Sequence, residues 1–138
     1  MRILPLLTLA LFAATGLAAD DLFSPADVAR LRRVSSAAIA PDGNHVAYGL
    51  SVQRDPLKDK DGTAWTELHV VDREGHDRAF ITGQVNIGGI QWTPDGRAIA
   101  YTAKRNGDKQ TALYTIPIDG GESQKLFDHD TSISGVAF

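Results

Sequence analysis

The tetrapeptide Ala40-Pro41-Asp42-Gly43 recurs as Thr93-Pro94-Asp95-Gly96, 53 residues later, and a near-identical stretch follows each copy. The first reads Asn44-His45-Val46-Ala47-Tyr48 and the second Arg97-Ala98-Ile99-Ala100-Tyr101. In each turn Pro presets φ, Asp offers local side-chain hydrogen bonds and Gly accepts positive φ. A repeat of this length, built from short strands and tight turns, points to the blades of a β-propeller rather than to an active site.

The strands can be read unit by unit. In the first, 36–40 and 45–52 flank the Pro-Asp-Gly turn, and Val46, Tyr48 and Leu50 alternate along the second strand. A charged loop over 53–63 precedes a third strand at 65–72, a Glu74-Gly75 turn and a fourth strand at 78–82. The second unit repeats the order at 87–92, 98–103, 111–118 and 123–127, with Asn106-Gly107 and Asp119-Gly120-Gly121 as turns. Ile133-Ser134-Gly135-Val136-Ala137-Phe138 resembles Ile87-Gly88-Gly89-Ile90-Gln91-Trp92, 46 residues upstream, and reads as the opening strand of a third unit. The expected fold is all-β: a partial propeller over 35–138, with blade one at about 35–82, blade two at about 87–127 and blade three beginning at about 131–138. Two blades and an opening strand leave one sheet face uncovered and several edges unpaired, so marginal stability and self-association through those edges are expected.

Ahead of the strands lie two other segments. Arg2, the apolar run Ile3–Leu17 and the small residues Gly16-Leu17-Ala18-Ala19 have the pattern of a secretory signal peptide over 1–19, with cleavage after Ala18 or Ala19 equally compatible. A retained anchor helix is the alternative, and about 20 apolar residues would be needed to span a bilayer. Residues 20–34 read as a leader and a capped helix from Pro25 to about Arg33. Ser24 is the N-cap, Asp27 suits the helix N-terminus, and Phe23 and Val28 form a hydrophobic staple, with Val28 and Leu31 facing the body. Arg30, Arg32 and Arg33 at its end could clamp an anion but read as a solvated helix terminus.

Composition narrows the function classes. Without the leader the chain holds 13 basic and 17 acidic residues, a balance that argues against nucleic-acid binding. The absence of Cys rules out disulfides and thiolate metal sites. No nucleic-acid partner, no cofactor and no membrane association after leader cleavage are expected.

The run Phe23-Ser24-Pro25-Ala26-Asp27-Val28-Ala29-Arg30-Leu31-Arg32-Arg33-Val34-Ser35, continuing into Ile39-Ala40-Pro41-Asp42-Gly43-Asn44-His45-Val46-Ala47-Tyr48, resembles the start of secreted bacterial serine peptidases of the prolyl oligopeptidase family. The branch is the one that includes acylaminoacyl-peptidases and dipeptidyl-peptidases. The resemblance implies a periplasmic or secreted protein in which the propeller scaffolds and gates peptide access to a C-terminal α/β-hydrolase domain bearing a Ser-Asp-His triad. That domain is missing from these residues: no Gly-x-Ser-x-Gly elbow occurs, so the chain alone is expected to be inactive. TolB-type periplasmic propellers carry the same turn motif, and a non-catalytic protein-binding scaffold is the rival expectation.

No catalytic, cofactor-binding or metal-ligating residue is assigned from the sequence. His45 and His69 fall on strands, His76 in a turn, and Asp128-His129-Asp130 in an inter-blade loop. None shows the tight helical spacing of a zinc pair. Asp59-Lys60-Asp61-Gly62 resembles part of a calcium loop, but an EF-hand would need acidic ligands where Leu57 and Leu68 stand. The loop 53–63 therefore reads as a solvated insertion or a contact loop. Trp65, Trp92, Tyr48, Tyr101, Tyr114 and Phe138 recur at equivalent places and are assigned to packing. Ser134 lacks the setting of a nucleophile.

Overall fold

The computed structural model describes residues 24–55, 57–105 and 107–138; the signal-peptide reading and Phe23 lie outside them. One helix, α1 (Pro25–Ala29), leads into β1 (Arg33–Ile39), β2 (His45–Val52), β3 (Trp65–Asp72) and β4 (Asp77–Ile81). Then follow β5 (Gly88–Trp92), β6 (Ala98–Ala103), β7 (Ala112–Pro117) and β8 (Gln124–Phe127). The strands make two four-stranded antiparallel sheets, each in sequence order: β1-β2-β3-β4, or blade one, and β5-β6-β7-β8, or blade two. The all-β reading as a partial propeller holds.

The two Pro-Asp-Gly turns are built alike. Gly43 and Gly96 sit at φ 68° and 69°, a conformation that other residues adopt only with strain. Their N–H groups donate to the carbonyls of Ala40 and Thr93, each at 2.8 Å. The Asp42 carboxylate accepts from the Asn44 N–H at 2.8 Å, and that of Asp95 from the Arg97 N–H at 3.1 Å. A register shift falls at the same place in both blades, between Leu68 and His69 and between Leu113 and Tyr114. The equivalence therefore extends to this bulge, whereas the β1–β2 and β5–β6 pairs differ, with shifts between Val34 and Ser36 and between Gly88 and Gln91.

The core lies between the sheets rather than within either one. Successive strand residues point to opposite faces. Ala47, Leu68, Val70 and Ile81 on one face of blade one meet Trp92, Ile99, Tyr101, Tyr114 and Ile116 on one face of blade two, all buried. The Trp92 indole N–H donates to the Ala38 carbonyl across the gap at 2.9 Å. Each such large side chain, fully buried, contributes roughly 1.5–3 kcal/mol.

Three expectations are corrected. The helix ends at Ala29, not near Arg33, because Arg33 opens β1 opposite Ser51 and the strand pairing takes over. Val28 and Leu31 are 50% and 54% exposed, so they do not face the body. The N-terminal cap is as expected: the Ser24 N–H donates to the Asp27 carboxylate at 2.8 Å, and the Asp27 N–H to the Ser24 hydroxyl at 3.3 Å. Residues 131–138 carry no strand. A strand needs a hydrogen-bonded neighbour, and the bond recorded for this segment's backbone is Ile133 N–H to the Thr111 carbonyl, 3.1 Å.

Candidate functional site

The densest polar geometry lies on the face of blade one that points away from blade two. Tyr48 and His69 are direct cross-strand partners on β2 and β3, and their rings stack with centroids 5.5 Å apart. His69 Nδ1 lies 2.9 Å from Asp77 Oδ2, and its Nε2 3.3 Å from Glu67 Oε2. The Tyr48 hydroxyl donates to Asp77 Oδ1 at 2.8 Å. Glu67 Oε1 accepts the Gly83 N–H at 2.9 Å. Burial, and then the Asp77 carboxylate beside it, push the Tyr48 hydroxyl up to about 12. Burial also raises Asp77, but the hydrogen bonds from His69 and Tyr48 outweigh it and hold its carboxyl below the usual value.

This arrangement is a structural clamp rather than a nucleophile–base pair. Acyl-transfer catalysis needs a hydroxyl or thiol within reach of a free base nitrogen. Here both His69 nitrogens face carboxylates, and the nearby hydroxyl donates to Asp77 instead.

Blade two holds the matching pair, Tyr101 and Tyr114, stacked at 5.6 Å on β6 and β7. The Tyr114 hydroxyl donates to Asp108 Oδ2 at 2.6 Å, and Arg105 Nη1 donates to the Tyr101 hydroxyl at 2.7 Å. Asp108 also pairs with Lys125, and the Arg105 N–H donates to it at 2.9 Å. Lys125, Tyr114 and Arg105 together hold the Asp108 carboxyl down to about 2. Burial and Asp108 push Tyr114 up to about 12.

The sequence-nominated residues divide clearly. Asp128-His129-Asp130 borders an open cavity of about 560 Å³ with Asp108, Lys109 and Lys125. There Lys125 also pairs with Asp128 at 3.2 Å, while His129 bonds Thr131 and stacks on Phe127. The charges in that cavity are largely spent on each other. His45 packs beside the Trp92 ring, with centroids 6.2 Å apart. The loop 53–63 is tied to itself by Arg54, which donates to the carbonyls of Thr63 and Lys60 at 2.7 and 2.9 Å and lies over Trp65 at 3.8 Å. Leu68, where a calcium loop would need Glu, is fully buried in the core. Trp92, Tyr101 and Tyr114 are buried as expected of packing residues, Tyr48 and Trp65 are half-buried, and Phe138 is 63% exposed.

One grouping was not singled out from the sequence. Asp72, Glu74 and His76 bring three potential ligand atoms within 4.8 Å of one another. Their i, i+2, i+4 spacing across a turn is the signal that could have found them. His76 Nδ1 is already 2.9 Å from Asp72 Oδ2, and the His76 N–H donates to Asp72 Oδ1 at 2.8 Å. That mutual contact raises His76 and lowers Asp72, and it serves to pin the β3–β4 turn.

No protein-family model matches the chain. The uncharacterized peptidase YuxL of Bacillus subtilis is 28% identical over 113 residues, which is 82% of this chain and 17% of that protein. Dipeptidyl-peptidase 5 of Porphyromonas endodontalis is 25% identical over 120 residues, 86% of this chain and 16% of its own length. The chain thus spans about a sixth of the curated relatives it matches. A solved structure assigned as TolB from Agrobacterium tumefaciens superposes with a TM-score of 0.52 at 20% identity, covering 70% of this chain and 31% of that one. At that identity the likeness speaks for the propeller fold alone. Among the described residues no helix is long and apolar enough to cross a membrane. The resemblance to the propeller region of prolyl oligopeptidase-family peptidases therefore stands, carried by two peptidase relatives and a propeller-type structural neighbour.

Proposed function

We propose that this chain is the N-terminal propeller part of an exported serine peptidase of the prolyl oligopeptidase family. In the intact protein it scaffolds a separate hydrolase domain and admits short peptides to it. The observation that carries the reading is the alignment with two peptidases over more than four-fifths of the chain. The self-satisfied polar groups on both blades fit a framework role, since neither His69 nor Asp108 is left free for chemistry. The apolar leader with its small-residue end supports a periplasmic or secreted location.

Two measurements test this. The reading frame beyond codon 138 is expected to encode further Pro-Asp-Gly blades and then a Gly-x-Ser-x-Gly elbow; blades followed by a stop would favour a non-catalytic binding scaffold. The purified 138-residue chain is expected to leave N-terminally free and N-acylated peptide substrates intact. Turnover that a serine-directed inhibitor abolishes would overturn the assignment of catalysis to a separate domain.

A further inference from the structure

The antiparallel order of each sheet gathers the chain's entry and exit at one end of the blade. In blade one, Arg33 at the start of β1 lies opposite Ser51, Val52 lies opposite Trp65, and Ile81 at the close of β4 lies opposite Leu68. The entry from α1, the 53–64 connection and the exit into 82–87 therefore share that end. Blade two repeats the arrangement, with Gly88 opposite Thr102, Ala103 opposite Ala112 and Phe127 opposite Leu113. The Pro-Asp-Gly turns and the 72–76 turn lie at the other end. A ring of such blades takes in its chain and releases it on one and the same face. Because the last blade of a closed ring lies against the first, the release point is also beside blade one.

On that face blade one carries an insertion that blade two lacks. Residues 53–64 join β2 to β3, whereas 104–111 join β6 to β7 and hold no large apolar side chain. The insertion is held from within. The Asp55 N–H donates to Asp59 Oδ2 at 2.8 Å, the Leu57 N–H to Asp55 Oδ1 at 2.9 Å, and the Asp59 N–H to the Asp55 carbonyl at 2.8 Å. Arg54 fastens its base, and a Cβ added at Gly62 would come within 2.6 Å of the guanidinium carbon, so the backbone lies close against that group. Lys58 pairs with Asp55 at 3.2 Å, while Leu57 is left 93% exposed. Ile39 and Phe127 are exposed on strand faces, where a further sheet can lie. Leu57 stands beyond the strand ends, where stacked sheets do not reach.

We propose that the 53–64 loop is the docking post for the hydrolase domain, with Leu57 seated in an apolar socket of that domain. The inference rests on the reading above that such a domain follows the blades. The chain spans 17% and 16% of its two peptidase relatives. A domain that follows the last blade starts on the face, and beside the blade, that carry this loop. A loop already ordered by its own hydrogen bonds loses little freedom on docking, so the apolar area of Leu57 goes into binding.

The test is photo-cross-linking in the product of the whole reading frame. A benzophenone-bearing amino acid replaces Leu57 in one variant and Glu74, exposed on the opposite face, in the other, and peptide turnover is measured alongside. After illumination, peptide mapping by mass spectrometry should place the position-57 cross-link beyond the last blade, in the domain that bears the Gly-x-Ser-x-Gly elbow. The position-74 cross-link should fall nowhere in that domain. Leu57→Asp, which puts a charge into the socket, should also make the joint between the last blade and that domain more readily cut by trypsin, and Glu74→Gln should not. An active enzyme whose position-57 cross-link is absent, falls only on blades or is matched from position 74 would overturn the inference and leave the peptidase reading standing. So would unchanged cutting in Leu57→Asp. A reading frame that encodes no such domain would overturn both.

Discussion

Ile39 and Trp92 occupy the same position in two copies of the same repeat, yet one is 71% exposed and the other 6%. Both stand two residues before the Pro-Asp-Gly turn, and both face the same way from the first strand of a blade. The difference is the neighbouring sheet: blade one covers Trp92, and no described residue covers Ile39. The same contrast runs through Tyr101 and Tyr48, which are fully buried and half-buried. Blade one also carries charge-bearing groups, His69 and Glu67, where blade two carries Tyr114 and Ala112. In this architecture burial is a property of the pair of sheets, not of the strand.

Substitutions can break or sharpen that contrast. The largest effect is expected from Trp92→Ala, which removes a buried ring and its hydrogen bond to Ala38 and should cost about 3–5 kcal/mol in denaturant unfolding. Ile39→Ala should cost less than about 0.5 kcal/mol by the same assay. Equal losses at the two positions would contradict the equivalence argument. Next, Leu68→Ala should cost about 2–5 kcal/mol, whereas Leu113→Ala, its half-buried counterpart, should cost about 1 kcal/mol or less.

Acid titration gives a third test. Asp108 is depressed to about 2 in the folded chain, so its contribution is present above about pH 4 and is lost as pH falls from about 4 to about 2. Asp108→Asn should flatten the stability profile in that window while leaving its shape near neutrality unchanged. An unaltered acid limb would mean that the Lys125 and Tyr114 contacts do not hold the carboxylate in solution. The smallest effect is expected at the exposed β3–β4 turn, where His76→Ala should shift stability by no more than about 0.5 kcal/mol.

Much of the blade plan was legible because the repeat states it twice. The Pro-Asp-Gly turns, the 45–52, 65–72 and 98–103 strands and the packing role of Trp92, Tyr101 and Tyr114 follow from residues close in sequence. The helix was overextended for a physical reason. Arg30 to Arg33 look like a favourable helix end, but strand pairing of Arg33 with Ser51 depends on residues far along the chain. The His69 clamp escaped notice because the β4 register sets Asp77 opposite Val71, diagonally from His69, a pairing that sequence spacing does not reveal. The exposure of Val28, Leu31 and Ile39 was hidden for a related reason: an apolar residue signals a core only when something covers it.

Hydrogen exchange at the two tryptophan indoles, followed by nuclear magnetic resonance, tests the sheet-on-sheet claim most directly. The Trp92 indole proton bridges the blades to Ala38, while Trp65 lies half-exposed beneath Arg54 and serves as the reference within the same molecule. The Trp92 proton should exchange as slowly as the backbone amides of β6, and far more slowly than that of Trp65. Exchange at Trp92 as fast as at Trp65, with the β6 amides still protected, would mean that the two sheets do not hold each other.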